Sequence, residues 1–233
     1  MPSSSFRLEK EIGFANLFNN DNFLMPEINF LDYNAFKIYK KGVARMKNIT
    51  FIVGGARSGK SSFAEKIAKE SSSKVVYIAT AIPFDKGMKD RIKKHQAARP
   101  AGWETIEQYN GFKNMAENHL FLQAELILLD CITLMVSNLL LDSGLDFDKS
   151  SIDEIDQLED RIFQEIKDLL EVIEDHEKEI ILVSNEVGMG LVAEYSLGNV
   201  FRDIAGRVNQ YLAKEAGEVY FMVAGIPMKI KGD

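Results

Sequence analysis

Eight consecutive residues constrain the fold of this chain more than any other part of its sequence. They read Gly54-Gly55-Ala56-Arg57-Ser58-Gly59-Lys60-Ser61. A glycine, four residues and then Gly-Lys-Ser is the pattern of loops that bind nucleotide phosphates. Glycines let the backbone curl until its N–H groups face inward, and the start of a following helix adds partial positive charge. The pattern therefore predicts a strand, a phosphate-binding loop (residues 54–61) and a helix, in that order.

The residues on both sides of the phosphate-binding loop have the composition that this prediction requires. Residues 49–53 are apolar and largely β-branched, as in a buried strand, and residues 62–69 place apolar side chains four apart, as on a helix. We expect Lys60 to contact the β- and γ-phosphates, Ser61 to ligate Mg²⁺ and Ser62 to belong to the same nucleotide site. The alternative is a glycine turn that binds nothing, but the flanking segments favour nucleotide binding.

Composition limits the remaining function classes. The 233 residues are 46% hydrophobic, carry a net charge of −7 and include one cysteine, Cys131. An acidic chain is not expected to bind nucleic acid, although a local basic patch stays open. A single cysteine excludes an internal disulfide framework and suits a reducing compartment. Polar residues interrupt the longest apolar stretch, residues 126–141, and the start of the chain has no apolar signal-peptide core, so we expect a soluble, cytoplasmic protein without a membrane span.

Residues 1–46 differ in character from the rest of the chain. They lack a sustained helical or strand period, yet their aromatic content is high for a disordered tail. The aromatic residues are Phe6, Phe14, Phe18, Phe23, Phe30, Phe36, Tyr33 and Tyr39. The segment is interpreted as a packed arm, a partner-binding segment or upstream sequence from a mistaken start, and the first and third are favoured. We therefore divide the chain into an extension, 1–46, without a catalytic role, and a catalytic domain, 47–233.

Strand and helix patterns alternate along the predicted catalytic domain. Further apolar runs are residues 75–80, 126–130, 180–184 and 219–223. Helical periods of three and four residues run from Ile155 to Ile173 and from Val200 to Leu212. Continuous apolar strands separated by helices predict an α/β fold of three layers, with a mostly parallel sheet covered by helices on both faces. Ligands of such sheets bind at the carboxyl ends of the strands.

Polar residues follow several of the predicted strands. Asp130 closes the run 126–129, which is the position of a carboxylate that holds Mg²⁺ directly or through water in phosphate-loop proteins. An ordinary strand-end aspartate is the alternative, and the phosphate-binding loop favours the metal role slightly. Residues 184–190 combine an amide, a carboxylate and two glycines, which suits a ligand loop or a tight turn. Thr80 and Asp85 follow the second strand as ligand or turn residues.

His95 lies in a basic stretch, residues 89–99, that precedes Pro100. On a helix, Arg91 and His95 share a face because they are four apart. A neutral imidazole is a competent nucleophile, and neighbouring cations hold phosphate. From the residues alone, a solvated basic helix with an incidental histidine is the better interpretation. The other two histidines, His119 and His176, are interpreted as surface residues.

Residues 48–231 strongly resemble the bifunctional adenosylcobinamide kinase / adenosylcobinamide-phosphate guanylyltransferase family. The resemblance covers essentially all of the chain except the extension and rests on blocks in a fixed order. These blocks are residues 54–61, 77–80, Arg91-Ile92, His95, Arg99-Pro100 with Trp103, 129–133, 138–140, 185–190, 201–210 and 223–227. No plain phosphate-loop kinase is expected to combine them.

The resemblance implies two linked reactions. ATP or GTP phosphorylates the terminal hydroxyl of adenosylcobinamide, and GMP from GTP is then transferred to adenosylcobinamide phosphate through a guanylylated histidine. The motif places that histidine at His95. The resemblance also implies a RecA-like phosphate-loop fold and a homo-oligomer, with a trimer as the assembly of a known family member.

The sequence departs from the family in small ways and leaves two rival functions. The family often has a basic residue at Ser62 and an acidic one at Gly87, which affects substrate contacts rather than the reaction class. The Asn-Lys-x-Asp element by which GTPase switches recognise guanine is missing from the sequence. A small-molecule kinase without nucleotidyl transfer, or a nucleotide-dependent binding protein, would use the same loop but leave the blocks around His95 and residues 185–190 unexplained.

Overall fold

The structure is a computed structural model that describes residues 46–82, 99–189 and 193–232. Within these residues, seven strands form one sheet in the order β3-β2-β4-β5-β1-β6-β7. The strands are β1 (Met46–Gly54), β2 (Val75–Ala79), β3 (Glu104–Glu107), β4 (Leu126–Asp130), β5 (Glu179–Asn185), β6 (Ala216–Val223) and β7 (Ile226–Lys231). All neighbouring strands from β3 to β6 in this spatial order pair in parallel, and β7 pairs antiparallel with β6. The predicted mostly parallel sheet is thus confirmed.

Five α-helices and one 3₁₀ helix connect the strands in the described part of the chain. They are α1 (Lys60–Ser71), the 3₁₀ helix Phe112–Glu117, α2 (His119–Gln123), α3 (Ile132–Asp142), α4 (Ile152–Asp175) and α5 (Ser196–Glu215). The start of α4 is fixed by a capping box, because the Ser151 hydroxyl accepts from the backbone N–H of Glu154 and the Glu154 carboxylate accepts from that of Ser151. Within these ranges, no helix combines the length and apolarity needed to cross a membrane.

The sheet has a hydrophobic core on each face, as the prediction of three layers requires. Successive residues of a strand alternate between the two cores, so Phe51 and Val53 belong to one and Ile52 to the other. Residues of α3, α4 and α5 fill the first core, and Ala64 and Ala68 of α1 lie in the second. The predicted helices around 62–69, 155–173 and 200–212 are confirmed with one or two further turns each.

Two strands, the helix α3 and the two short helices between β3 and β4 were not predicted. β3 is polar except for buried Ile106, and β7 is an exposed edge strand that contains Pro227, so neither has the apolar run expected of a central strand. The apolar stretch 126–141 divides into β4 and α3, because the chain turns at Cys131 after the strand ends. Both missed strands lie at the outer edges of the sheet, where the pattern of burial is weakest.

Candidate active site

The phosphate-binding loop connects the carboxyl end of β1 to the start of α1, as predicted. Gly59 precedes the helix with φ of 94°, a conformation that glycine adopts without steric cost. The backbone N–H of Ser58 donates to the carbonyl of Gly55 at 3.3 Å, and that of Phe63 donates to the carbonyl of Gly59 at 3.0 Å. The loop therefore curls over the first turn of α1, which is the geometry that presents N–H groups to a phosphate.

The turn between β6 and β7 supports this loop from the side. The backbone N–H of Gly225 donates to the carbonyl of Ser58 at 2.9 Å. A Cβ atom at Gly54 would lie 2.5 Å from the carbonyl oxygen of Met222, so the two backbones approach too closely for any residue except glycine. The requirement for glycine at position 54 thus comes from the neighbouring strand as well as from the ligand pattern.

Lys60 is held inside the loop. Its side chain is only 6% exposed, and its amine donates to the carbonyl of Gly55 at 2.7 Å. Burial lowers the pKa of the Lys60 amine from its ordinary value, while nearby Cys131 and Asp130 oppose the shift. The charge of Asp130 is thus felt at Lys60, although the two side chains make no direct hydrogen bond or ion pair among the described contacts.

Asp130 lies at the end of β4, and one strand, β5, separates β4 from β1 in the sheet. The hydroxyl of Tyr77 donates to its Oδ2 at 3.0 Å. Burial raises the pKa of the Tyr77 hydroxyl well above its usual range, and the charge of Asp130 adds to the shift. Tyr77 therefore remains a proton donor, and Asp130 has a fixed partner that the sequence did not reveal.

The other predicted loop residues have different exposures. Ser61 is partly exposed at the start of α1, whereas Ala56, Arg57 and Ser62 are exposed. The hydroxyl of Ser58 is buried without a hydrogen-bond partner among the described residues. The loop thus presents an exposed rim around a buried lysine and a buried hydroxyl.

A network of polar side chains connects the strand ends next to the loop. The hydroxyl of Thr80 donates to the carbonyl of Cys131 at 2.7 Å and accepts from its backbone N–H at 2.9 Å, so buried Thr80 fixes β2 against the end of β4. The amide of Asn185 donates to the hydroxyl of Thr133 at 2.8 Å, and the amide of Asn209 donates to the carbonyl of Asn185 at 3.1 Å. These contacts give Thr80 and Asn185 a structural role.

The residues that follow Asn185 form a turn. Oε1 of Glu186 accepts from the backbone N–H groups of Gly188 and Met189 at 2.6 and 3.3 Å, and the N–H of Glu186 donates to the carbonyl of Gly54 at 2.9 Å. The sequence suggested either a ligand loop or a tight turn for residues 184–190, and residues 186–189 form a tight turn. The turn is tied to the phosphate-binding loop through Gly54.

His95, Arg91, Asp85 and Gly87 lie outside the described residues, so the structure does not place the predicted nucleophile. The chain is described again from Arg99, whose guanidinium lies 3.3 Å from the ring centroid of Tyr77. His119 and His176 are exposed, as predicted. Among the described residues, no group of three or more His, Cys, Asp or Glu side chains is arranged to hold a metal ion.

Comparison with known proteins identifies a family for this chain. The family model described as "Cobinamide kinase / cobinamide phosphate guanyltransferase" matches residues 50–230. This chain belongs to that family. The bifunctional adenosylcobalamin biosynthesis protein CobU of Escherichia coli (strain K12) is 44% identical over 180 residues, which are 77% of this chain and 98% of the relative. The protein of the same name from Salmonella typhimurium is 43% identical over the same shares.

Among solved structures, the flagellar accessory protein FlaH from Methanocaldococcus jannaschii aligns with 79% of this chain and 78% of its own length. Its TM-score is 0.39 and its sequence identity 16%. The resemblance stated from the sequence blocks is confirmed by the family match and by the two relatives. The alignment with this chain covers 98% of the length of each relative.

Proposed function

We propose that this protein phosphorylates adenosylcobinamide with ATP or GTP and then transfers GMP from GTP to adenosylcobinamide phosphate, giving adenosyl-GDP-cobinamide and pyrophosphate. The observation that carries the proposal is a complete phosphate-binding loop with a buried Lys60, in a chain that belongs to the family. The nucleotides and the two cobinamide forms are therefore the small-molecule partners, and no nucleic acid is needed.

In the kinase step, the backbone of residues 54–62 binds the phosphates and Lys60 supplies positive charge to the γ-phosphoryl group as it transfers. An incoming phosphate oxygen would replace the carbonyl of Gly55 as the acceptor of the Lys60 amine, which now donates to that carbonyl at 2.7 Å. A fixed cation in a poorly solvated loop stabilises the charge of the transition state more strongly than a cation in water.

The residues present fit Mg²⁺. The carboxylate of Asp130 and the hydroxyl of Ser61 are hard oxygen ligands, and phosphate-loop sites complete the shell with phosphate oxygens and water rather than with three acidic residues. Asp130 ends β4, at the same edge of the parallel sheet as the phosphate-binding loop after β1, which supports this role. Bound Mg²⁺ would neutralise charge on the transferring phosphates.

In the guanylyl step, the imidazole of His95 attacks the α-phosphorus of GTP and pyrophosphate leaves. The phosphate oxygen of adenosylcobinamide phosphate then attacks the same phosphorus, the bond to His95 breaks, and GMP is linked to the substrate through a new phosphoanhydride. Two displacements through a histidine are reasonable because imidazole both attacks and leaves well.

We propose further that the protein assembles as a homo-oligomer, with a trimer as the expected size. Ile226, Met228 and Ile230 alternate along edge strand β7 and are 65%, 51% and 61% exposed, which supports a contact between copies of the chain. Light scattering after size exclusion should give a smaller species for Ile230→Lys. Ile152→Lys, at an isoleucine on α4 that is 77% exposed, is the control and should not change the mass.

The direct test of the activity is incubation with adenosylcobinamide, GTP and Mg²⁺, followed by mass analysis of the products. We expect adenosylcobinamide phosphate first and adenosyl-GDP-cobinamide after it. Accumulation of the phosphate alone would indicate a kinase without nucleotidyl transfer, and absence of both products would contradict the proposal.

A further inference from the structure

Tyr77 and Asp130 are joined by a contact that the strand register makes possible. Tyr77 on β2 pairs with Leu128 on β4, and Asp130 follows Leu128 by two residues. Residues two apart on a strand share a face, so Tyr77, Leu128 and Asp130 lie on the same side of the sheet as α1. The Tyr77 hydroxyl thereby reaches Oδ2 of Asp130 at 3.0 Å, so one carboxylate oxygen has a fixed partner on β2.

The ring of Tyr77 is itself immobilised. The side chain is 3% exposed within the core that includes Ala64 and Ala68 of α1. The guanidinium of Arg99 lies over the ring, 3.3 Å from its centroid, and Nη1 of Arg99 donates to the hydroxyl of Thr105 on β3 at 3.3 Å. A cation over an aromatic face is attractive, and two elements therefore hold the ring. A tyrosine ring held this way keeps its hydroxyl oxygen in place beside Asp130.

We propose that Tyr77 is a positioning residue, which holds the carboxylate of Asp130 in the orientation needed to bind a divalent cation on the nucleotide; this role rests on the proposed function of Asp130. Hydrogen-bond partners of metal ligands orient those ligands, and their loss weakens metal binding about tenfold or more. A tyrosine that only fills the core would contribute to stability but not to the effect of the metal on nucleotide binding.

The chain provides a matched control. The hydroxyl of Tyr109 donates to Oδ2 of Asp142 at 2.5 Å. This is a second hydrogen bond from a tyrosine hydroxyl to an aspartate carboxylate, at a different place in the chain. Asp142 ends α3, whereas Asp130 lies just before that helix begins, so about 15 Å of helix separates the two pairs. Tyr77→Phe and Tyr109→Phe each remove one hydroxyl and leave the aromatic ring in place.

The test is calorimetric titration of the full-length protein with the β,γ-methylene analogue of ATP, once with excess Mn²⁺ and once with EDTA. The ratio of the two affinities measures how much the metal strengthens nucleotide binding. We expect Tyr77→Phe to reduce this ratio about tenfold and to leave the affinity in EDTA within about twofold of that of the unchanged protein. Asp130→Asn should reduce the ratio at least as much, and Tyr109→Phe should leave it unchanged.

An unchanged ratio for Tyr77→Phe would overturn the positioning role, as would an equal reduction in Tyr109→Phe. An unchanged ratio for Asp130→Asn would overturn this proposal together with the metal role of Asp130. The kinase and guanylyl transfer reactions are measured separately by product formation from adenosylcobinamide, so failure here is distinguishable from failure of the proposed function.

Discussion

Lys60 combines burial with a positive charge, a combination that lysine side chains tolerate only with nearby partners. Here the partners are the carbonyl of Gly55, at 2.7 Å from the amine, and the more distant charge of Asp130. A carbonyl alone does not balance a full charge, so the arrangement favours the arrival of an anion. Phosphate groups supply such an anion at this position.

We therefore expect Lys60→Ala to lower the rate of the kinase step by about a hundredfold or more, because it removes charge from the transferring phosphates. Lys66→Ala, which removes an exposed lysine from the same helix, is the control and should retain the normal rate. The measurement is initial-rate formation of adenosylcobinamide phosphate, with circular dichroism to verify the fold. Normal turnover by folded Lys60→Ala protein would exclude the role.

The lowered pKa of Lys60 leads to a prediction about pH. Since burial lowers this pKa, the free protein loses the lysine charge at a lower pH than an exposed lysine would. Nucleotide affinity should therefore decrease as the pH rises, and the decrease should begin before the pH reaches 10.5. Lys60→Arg should remove this alkaline decline, because arginine keeps its charge in that range. The measurement is affinity for a non-hydrolysable ATP analogue against pH, since adenine does not lose a proton there. Parallel profiles for the two proteins would contradict the prediction.

At the scale of the elements, β6 and β7 do more than extend the sheet. Their turn donates a hydrogen bond from Gly225 to Ser58, and β6 passes so close to Gly54 that a Cβ atom there would lie 2.5 Å from the carbonyl of Met222. By contrast, a Cβ atom at Gly55 would meet no heavy atom within 4 Å. Gly54 is thus required by close packing against β6, whereas Gly55 lies where a side chain would have room.

Gly54→Ala should destabilise the nucleotide-free protein by about 2 kcal/mol, because a backbone must shift to accept the methyl group. For a chain of this size that corresponds to a fall in Tm of several degrees. Gly55→Ala, one residue away, should leave Tm almost unchanged. Thermal unfolding without nucleotide measures both, and equal Tm values for the two variants would show that the contact with Met222 is not limiting.

The elements that the sequence predicted are those with a continuous apolar run or a clear helical period. The central strands β2, β4 and β5 are buried along nearly their whole length, and α1, α4 and α5 have helical periods. By contrast, β3 has one buried residue in four and β7 is exposed along most of its length. For the site, the pattern predicted Lys60, Ser61 and Asp130, because motif spacing carries that information. It did not predict the contacts of Tyr77, Thr80 and Asn185, since these depend on the register between strands that are distant in sequence.

For the whole molecule, the amino-terminal extension is a part that lies outside the family match. The family match begins at residue 50, and 180 residues of this chain already align with 98% of the Escherichia coli protein. β1 begins at Met46, the last residue of the predicted extension. We expect a truncated protein that starts at Met46 to fold and to catalyse both reactions.

Solubility, thermal unfolding and product analysis of this truncated protein, compared with those of the full-length chain, would test the division into extension and catalytic domain. Soluble but inactive truncated protein would show that residues 1–45 contribute to the chemistry. That result would contradict the division. Insoluble protein would favour the packed arm over the mistaken start.

The central claim is that one protein carries both a phosphate-binding loop kinase and a histidine that accepts GMP. The most direct measurement is covalent labelling with GTP that carries the label on the α-phosphate or on the γ-phosphate. We predict that only the α-label marks the protein, that the label is lost in acid but survives base, and that His95→Asn abolishes it while the Lys60-dependent kinase step stays at least partly active. Label that persists in His95→Asn protein, or protein that is never labelled while GMP is transferred, would contradict the account.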